Sequence, residues 1–163
     1  MIIVSRNKIL HYNKKIYRCS IGLNGFTKNK IEGDKKTPIG IYSIGKLFVR
    51  TDRIKNLNTK FELTEIKKSM AWADDPNKSN YNKLIKTKNS HKESLYRNDN
   101  LYDLILVINY NINPIIPNKG SAIFMHVSSD DYKPTEGCIA IKINDFIEIL
   151  ASLDPSNKIS ISN

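Results

Sequence analysis

Apolar positions in this chain fall mostly in short runs with a period near two, separated by turn-forming residues. Ile2 to Ser5, Ile9 to Tyr12 and Ile16 to Ile21 read as three strands divided by Arg6-Asn7-Lys8 and Asn13-Lys14-Lys15, the outline of an antiparallel meander. Within the third, Cys19 lies on the opposite face from Arg18 and Ser20 and reads as core filler. A looser segment begins at Asn24-Gly25, and Ile41 to Val49 resumes as a strand. Leu101 to Tyr110 is the strongest buried-strand signal, and Asn111 to Lys119, with Pro114 and Pro117, is a loop. Ala122 to His126 and Ile139 to Ile141 are further β-prone runs. The period then turns helical. Asn144 is placed as N-cap, Asp145 in the first turn, Phe146, Ile147, Ile149 and Leu150 on an apolar face, and Leu153-Asp154-Pro155 as the stop. Ile159-Ser160-Ile161 is a last alternating strand.

Residues 51 to about 100 break this texture, being rich in Lys and Asn without a clean period. Glu65 to Ala73 and Asn80 to Lys86 each read as a short helix or an irregular loop. Phe61, Leu63, Trp72, Tyr81, Leu84, Leu95 and Tyr96 are expected to anchor the excursion on the sheet. The expected fold is mainly β with one or a few short helices and an irregular insert, in a single domain over residues 1–163.

Composition narrows the function classes. The chain has 26 Lys+Arg against 16 Asp+Glu and a formal net charge of +10, which favours anionic partners. No block forms an arginine-rich tail or an aromatic-basic stacking module, so nucleic acid is not expected as a partner. Cys19 and Cys138 cannot build a disulfide framework. With only His11, His91 and His126 beside them, no metal is expected. No run approaches a membrane span, and MIIVSRNKILHY lacks a long apolar h-region, so neither a transmembrane segment nor a signal peptide is read.

Candidate chemistry concentrates between Gly120 and Ile141. His126 ends one apolar run and Cys138 precedes another. A loop of the intervening length lets the two strands lie near each other and brings the imidazole toward the thiol, the arrangement a cysteine nucleophile needs. Gly137 permits a tight turn and leaves the Cys138 N–H to face a substrate oxyanion. A cysteine beside an apolar strand is more often a small buried hydrophobe, and the residues by themselves leave both readings open. Glu32 to Gly40 is open in the same way, as a structural turn or as a loop over a cleft. It lacks the ending of a phosphate loop.

IFMHV followed by PTEGCIAI resembles the signature of the L,D-transpeptidases (the YkuD-type catalytic domain): a strand ending in His, a variable loop, then Ser/Thr-x-Gly-Cys. EGDKKTPIGIYSI resembles that family's acidic-Gly-Asp-x-x-Thr-Pro-x-Gly segment. Trp72, Asp75, Tyr81-Asn82, Ser90-His91, Leu95-Tyr96-Arg97 and Leu101-Tyr102-Asp103 resemble the middle segment of one subgroup, with a Thr-Glu-Gly-Cys-hydrophobic-Ala ending. The resemblance covers nearly the whole chain. It implies an L,D-transpeptidase-like β-sandwich or β-barrel of mixed strands, with Cys138 as nucleophile and His126 as general acid/base. Thr135 and Gly137 would form the oxyanion-stabilising turn, and Trp72, Tyr81, Asn82, His91 and Arg97 would contact substrate. Two departures concern substrate handling: Glu136 where many members have His, and Ala140 where many have Arg. The implied activity is peptidoglycan 3→3 crosslinking through a cysteine thioester, with peptidoglycan stem peptides as partners and no cofactor, in the periplasm or cell envelope. Trimming or exchange of D-amino acids by a same-fold L,D-carboxypeptidase or amidase is the alternative, followed by non-catalytic binding of an anionic polymer.

Overall fold

The computed structural model describes residues 1–88 and 93–162. Strands β1 (Ile2–Ser5), β2 (Ile9–Tyr12) and β3 (Lys15–Ser20) form the expected antiparallel meander. Two short strands, β4 (Phe26–Thr27) and β5 (Thr37–Pro38), pair in parallel, so the loop between them returns along its own entrance. The long β6 (Gly40–Val49) follows, then β7 (Leu63–Glu65), β8 (Met70–Trp72) and β9 (Leu84–Lys86). The remaining elements are β10 (Leu104–Ile108), β11 (Phe124–Val127), β12 (Ile139–Ile141), α1 (Ile143–Ser152) and β13 (Lys158–Ile161).

Eight strands close into a barrel in the order β10-β11-β12-β3-β2-β1-β13-β6, with β6 pairing back onto β10 and β7 added to β6. Closure depends on two strands that change partners along their length. β6 pairs with β13 through Gly40–Ser43 and with β10 through Ile44–Val49, across a register irregularity. β3 pairs with β2 through Lys15–Arg18 and with β12 through Cys19–Ser20. The sheet is mixed: β1–β13, β11–β12 and β6–β7 are parallel, and the other barrel pairs are antiparallel.

Side-chain alternation sorts the apolar residues into two clusters. Leu104, Leu106, Ile108, Met125, Val127, Ile139 and Ile141 face the barrel interior with Ile2, Val4, Leu10 and Cys19, and Phe146, Ile149 and Leu150 of α1 join them. The opposite faces of the same strands carry Ile105, Val107 and Phe124, joined by Cys138 just before β12. These pack under the insert with Ile66, Met70, Trp72, Leu95 and Tyr102. Both faces of β10 are therefore covered, which accounts for its continuous apolar run.

Two expectations are corrected. The helix begins at Ile143 with Lys142 as N-cap, in extended backbone and without a side-chain cap. Asn144 is exposed and already inside the first turn, because β12 runs to Ile141 and leaves the chain one residue to turn in. In the insert, Glu65 to Ala73 and Asn80 to Lys86 hold no helix. They contain β8 and β9, paired antiparallel, with Ala71 also bridged to Ser94. Strands of three residues, β8 buried throughout and β9 only partly buried, are too short to print a period in the sequence.

Polar contacts fix the insert to the barrel. Arg50 is buried at the end of β6, stacks on the Tyr96 ring at 3.7 Å and donates to the Arg97 carbonyl at 2.7 Å. Arg53 donates to the Asp103 carboxylate and to the carbonyls of Asn98 and Asp99. Deeper, Asn82 accepts from Trp72 Nε1 at 2.9 Å and from the Ala122 N–H at 3.1 Å, and its amide donates to the carbonyls of Tyr110 and Asn111. Asn82→Ala is expected to cost about 3 kcal/mol, since it strips buried donors and acceptors of partners, and so to lower Tm by roughly 6–12 °C. Asn82→Gly, which suits the left-handed φ of 55° there, should be destabilised comparably. An unchanged thermal melt for the glycine variant would contradict this role.

Candidate active site

Strands β11 and β12 run parallel with Met125 opposite Ile139 and His126 opposite Ala140. Because alternate residues share a face, Met125, Ile139 and Ile141 point into the barrel, while His126, Cys138 and Ala140 lie on the other side. All three line a cavity of about 480 Å³. His126 and Cys138 are therefore diagonal neighbours, one strand and two residues apart, and no hydrogen bond joins them directly. The Cys138 thiol donates to the Ala122 carbonyl at 3.2 Å and accepts from the Phe124 N–H at 3.4 Å.

His126 Nδ1 is 2.8 Å from the carbonyl of the next residue, Val127. With Nδ1–H donating there, Nε2 keeps its lone pair. The ring edge packs against Tyr102, with centroids 5.2 Å apart, and Tyr102 in turn meets Phe124. The Tyr102 hydroxyl donates to the Glu93 carboxylate.

Burial sets the ionisation of the pair. His126 is 7% exposed and Cys138 8%. Desolvation pulls the imidazole down to about 4, against the opposing effect of the Val127 carbonyl. It pushes the thiol up to about 12, and the nearby Glu93 carboxylate pushes the same way. Glu93 is itself raised, chiefly by burial. Both shifts favour a neutral thiol and a neutral imidazole at neutral pH.

The turn before Cys138 is held by Thr135. Its hydroxyl donates to the Cys138 carbonyl at 2.6 Å and accepts from the Gly137 N–H at 3.1 Å. Its backbone is stitched to Ile21 and Leu23 beyond β3. Gly137 sits at φ 135°, and a Cβ there would stand 2.9 Å from the Lys36 carbonyl. The Gly137 N–H is taken by Thr135 and is not available to an oxyanion.

Of the other sequence candidates, Arg97 lines the cavity, ion-paired to Asp99 at 2.6 Å and 5.1 Å from the Tyr102 ring centre. Trp72, Tyr81 and Asn82 are buried and do not line it. Trp72 packs edge-on against Phe124, and the Tyr81 hydroxyl donates to Glu32. They brace the wall from behind. His91 lies outside the described residues. The loop before β5 does both things considered for it. Asp34 caps its own turn through the N–H groups of Ile31 and Lys36, while Lys30, Glu32 and Gly33 reach the cavity. Ala140 leaves the space beside His126 open, and Glu136 is exposed at the rim near Lys35. Sequence reasoning missed Lys30, Glu93, Tyr102 and Ser121 as cavity residues. Tyr102 and Lys30 had a faint signal, one inside the Leu-Tyr-Asp triplet and the other four residues before Asp34.

No curated protein matches the chain in sequence. Among solved structures, the helical cell shape determining protein Pgp2 from Campylobacter jejuni is 16% identical at a TM-score of 0.46, over 98% of this chain and 46% of that one. L,D-transpeptidase 1 of Mycobacterium tuberculosis is 12% identical at 0.43, over 100% and 61%. An L,D-transpeptidase from Mycobacterium smegmatis is 10% identical at 0.42, over 99% and 58%. The chain thus spans between 46% and 61% of the length of these proteins. The family model of the L,D-transpeptidase catalytic domain (YkuD) matches residues 1–161, and on that match the chain belongs to the L,D-transpeptidase family.

Proposed function

We propose that residues 1–163 act as one catalytic domain, a cysteine acyltransferase that forms 3→3 crosslinks between peptidoglycan stems in the cell envelope. The observation that carries this reading is an imidazole on β11 and a thiol at the entrance to its parallel neighbour β12, both lining one cavity, with Nδ1 of the imidazole tied to a backbone carbonyl. In the mechanism, the Cys138 thiol turns from the Ala122 carbonyl toward His126 Nε2. Its sulfur attacks the carbonyl that joins the L-centre of the diamino acid to the terminal D-Ala as the thiol proton passes to Nε2. The Cys138 N–H faces the oxyanion. As the C–N bond breaks, His126 gives the proton to the leaving amine, D-Ala departs and a thioester remains. An amine of a second stem then attacks the thioester, its proton passes to His126 Nε2 and from there to the departing sulfur as the C–S bond breaks, and the thiol is restored.

Water in place of that amine would make the chain an L,D-carboxypeptidase. Purified disaccharide-tetrapeptide should yield a crosslinked dimer by mass spectrometry. A product limited to trimmed tripeptide would make the chain a hydrolase, and no product would remove the acyl-transfer reading.

Cys138→Ala should abolish the acyl adduct formed with a stem peptide or a carbapenem, whereas Cys19→Ala, in the barrel core, should keep it. An adduct surviving on the Cys138 variant would sink the nucleophile assignment. His126→Ala should slow acylation roughly hundredfold or more.

The pH dependence follows from the two shifts. His126 must be neutral to accept the proton, so acylation is lost as pH falls through about 4. The thiol stays protonated until about 12, so no thiolate titration enters near neutrality. kcat/KM for acylation should be level from about pH 6 to 9. A limb between pH 7 and 9 would point instead to a thiolate–imidazolium pair.

A further inference from the structure

Three cations line the cavity among the described residues, and one is withdrawn from solvent. The side chain of Lys30 is 3% exposed, against 37% for Arg97 and 76% for Lys133. A buried ammonium is costly unless its N–H groups are met, and Lys30 has two partners: the Asp34 carboxylate and the Ile31 carbonyl at 3.3 Å. Asp34 is shared, since it also accepts from the N–H groups of Ile31 at 3.0 Å and Lys36 at 2.8 Å. Among the described residues the third N–H of the ammonium has no partner, and Lys30 is one of the residues that line the cavity.

The backbone makes way for this side chain twice. At Gly120, φ 94°, a Cβ would stand 2.7 Å from Lys30 Cγ. At Gly137, φ 135°, it would stand 3.6 Å from Lys30 Nζ. The lysine stem therefore threads past one glycine and delivers its charge beside the residue that immediately precedes Cys138. The charge is felt there, where it opposes the burial-driven rise of the thiol.

We propose that the Lys30 ammonium binds a carboxylate of the molecule acted on at Cys138, namely the free terminal carboxylate of the D-amino acid that leaves the donor stem. This rests on the acyl-transfer reading of the site. A buried cation with an unmet N–H prefers a carboxylate to a neutral amide, because the charge-assisted bond gains most where water is excluded. Lys30 so placed selects stems that end in a free D-residue and orients the bond to be broken over the thiol.

The test uses a tetrapeptide stem ending in D-Ala and the same peptide as its C-terminal carboxamide. Wild type should favour the free acid at least tenfold in kcat/KM. Lys30→Met should lose at least tenfold on the acid and less than twofold on the amide, and Lys30→Arg should recover part of the preference. Equal losses on both peptides, or a wild type that treats both alike, overturns the proposal. If Lys30→Met fails to fold, Lys30→Gln carries the same comparison, and Arg97→Gln, which removes another cation of the cavity, should leave the acid-to-amide ratio unchanged. Calorimetry on Cys138→Ala protein measures the same preference as a ratio of Kd values. Absence of turnover in the wild type would thus count against acyl transfer, while the Kd ratio still upholds or overturns the carboxylate site.

Discussion

The parallel register of β11 and β12 is the constraint on which the site depends. Met125 opposite Ile139 sends one set of side chains into the barrel and leaves His126, Cys138 and Ala140 on the other face. A slip of one residue in either strand would exchange the two sets, placing an imidazole or a thiol in the core and a large apolar residue in the cavity. The interior therefore enforces the chemistry: burial of Met125, Val127, Ile139 and Ile141, each at most 2% exposed, makes any other register expensive.

The outer face of those strands becomes a site only because something covers it. The insert supplies that cover with few regular elements of its own, and its stability comes from being fastened at particular points. Arg50 and Arg53 hold the 96–103 stretch, and Asn82 ties Trp72 to Ala122, the residue whose carbonyl accepts the hydrogen bond of the Cys138 thiol. The same cover excludes water from His126 and Cys138 and so keeps both uncharged.

Most of the barrel was legible in the sequence because its strands alternate or, like β10, form long apolar runs. The meander, the final strand and the helix face emerged from periodicity. The insert did not, since β8 and β9 are three residues each and owe their shape to tertiary contacts. His126 and Cys138 stood out by residue type and position, but their separation did not, because loop length says nothing about the diagonal offset that parallel pairing imposes. Lys30 was hidden among many lysines in a strongly basic chain. What distinguishes it is burial, which depends on two glycines in distant segments.

A thiol that is neutral at rest is chemically quiet. Peroxides and most electrophiles react with thiolate, whose population at neutral pH is minute for a group held near 12. A residue at Cys138 so protected would persist in oxidising surroundings, where a permanently ionised cysteine would be consumed. Its reactivity would be conditional, arising only when a bound molecule displaces the thiol from the Ala122 carbonyl and presents a carbonyl carbon within reach of the base. Seen this way, the buried position of Cys138 in the insert's cluster would safeguard the thiol between encounters.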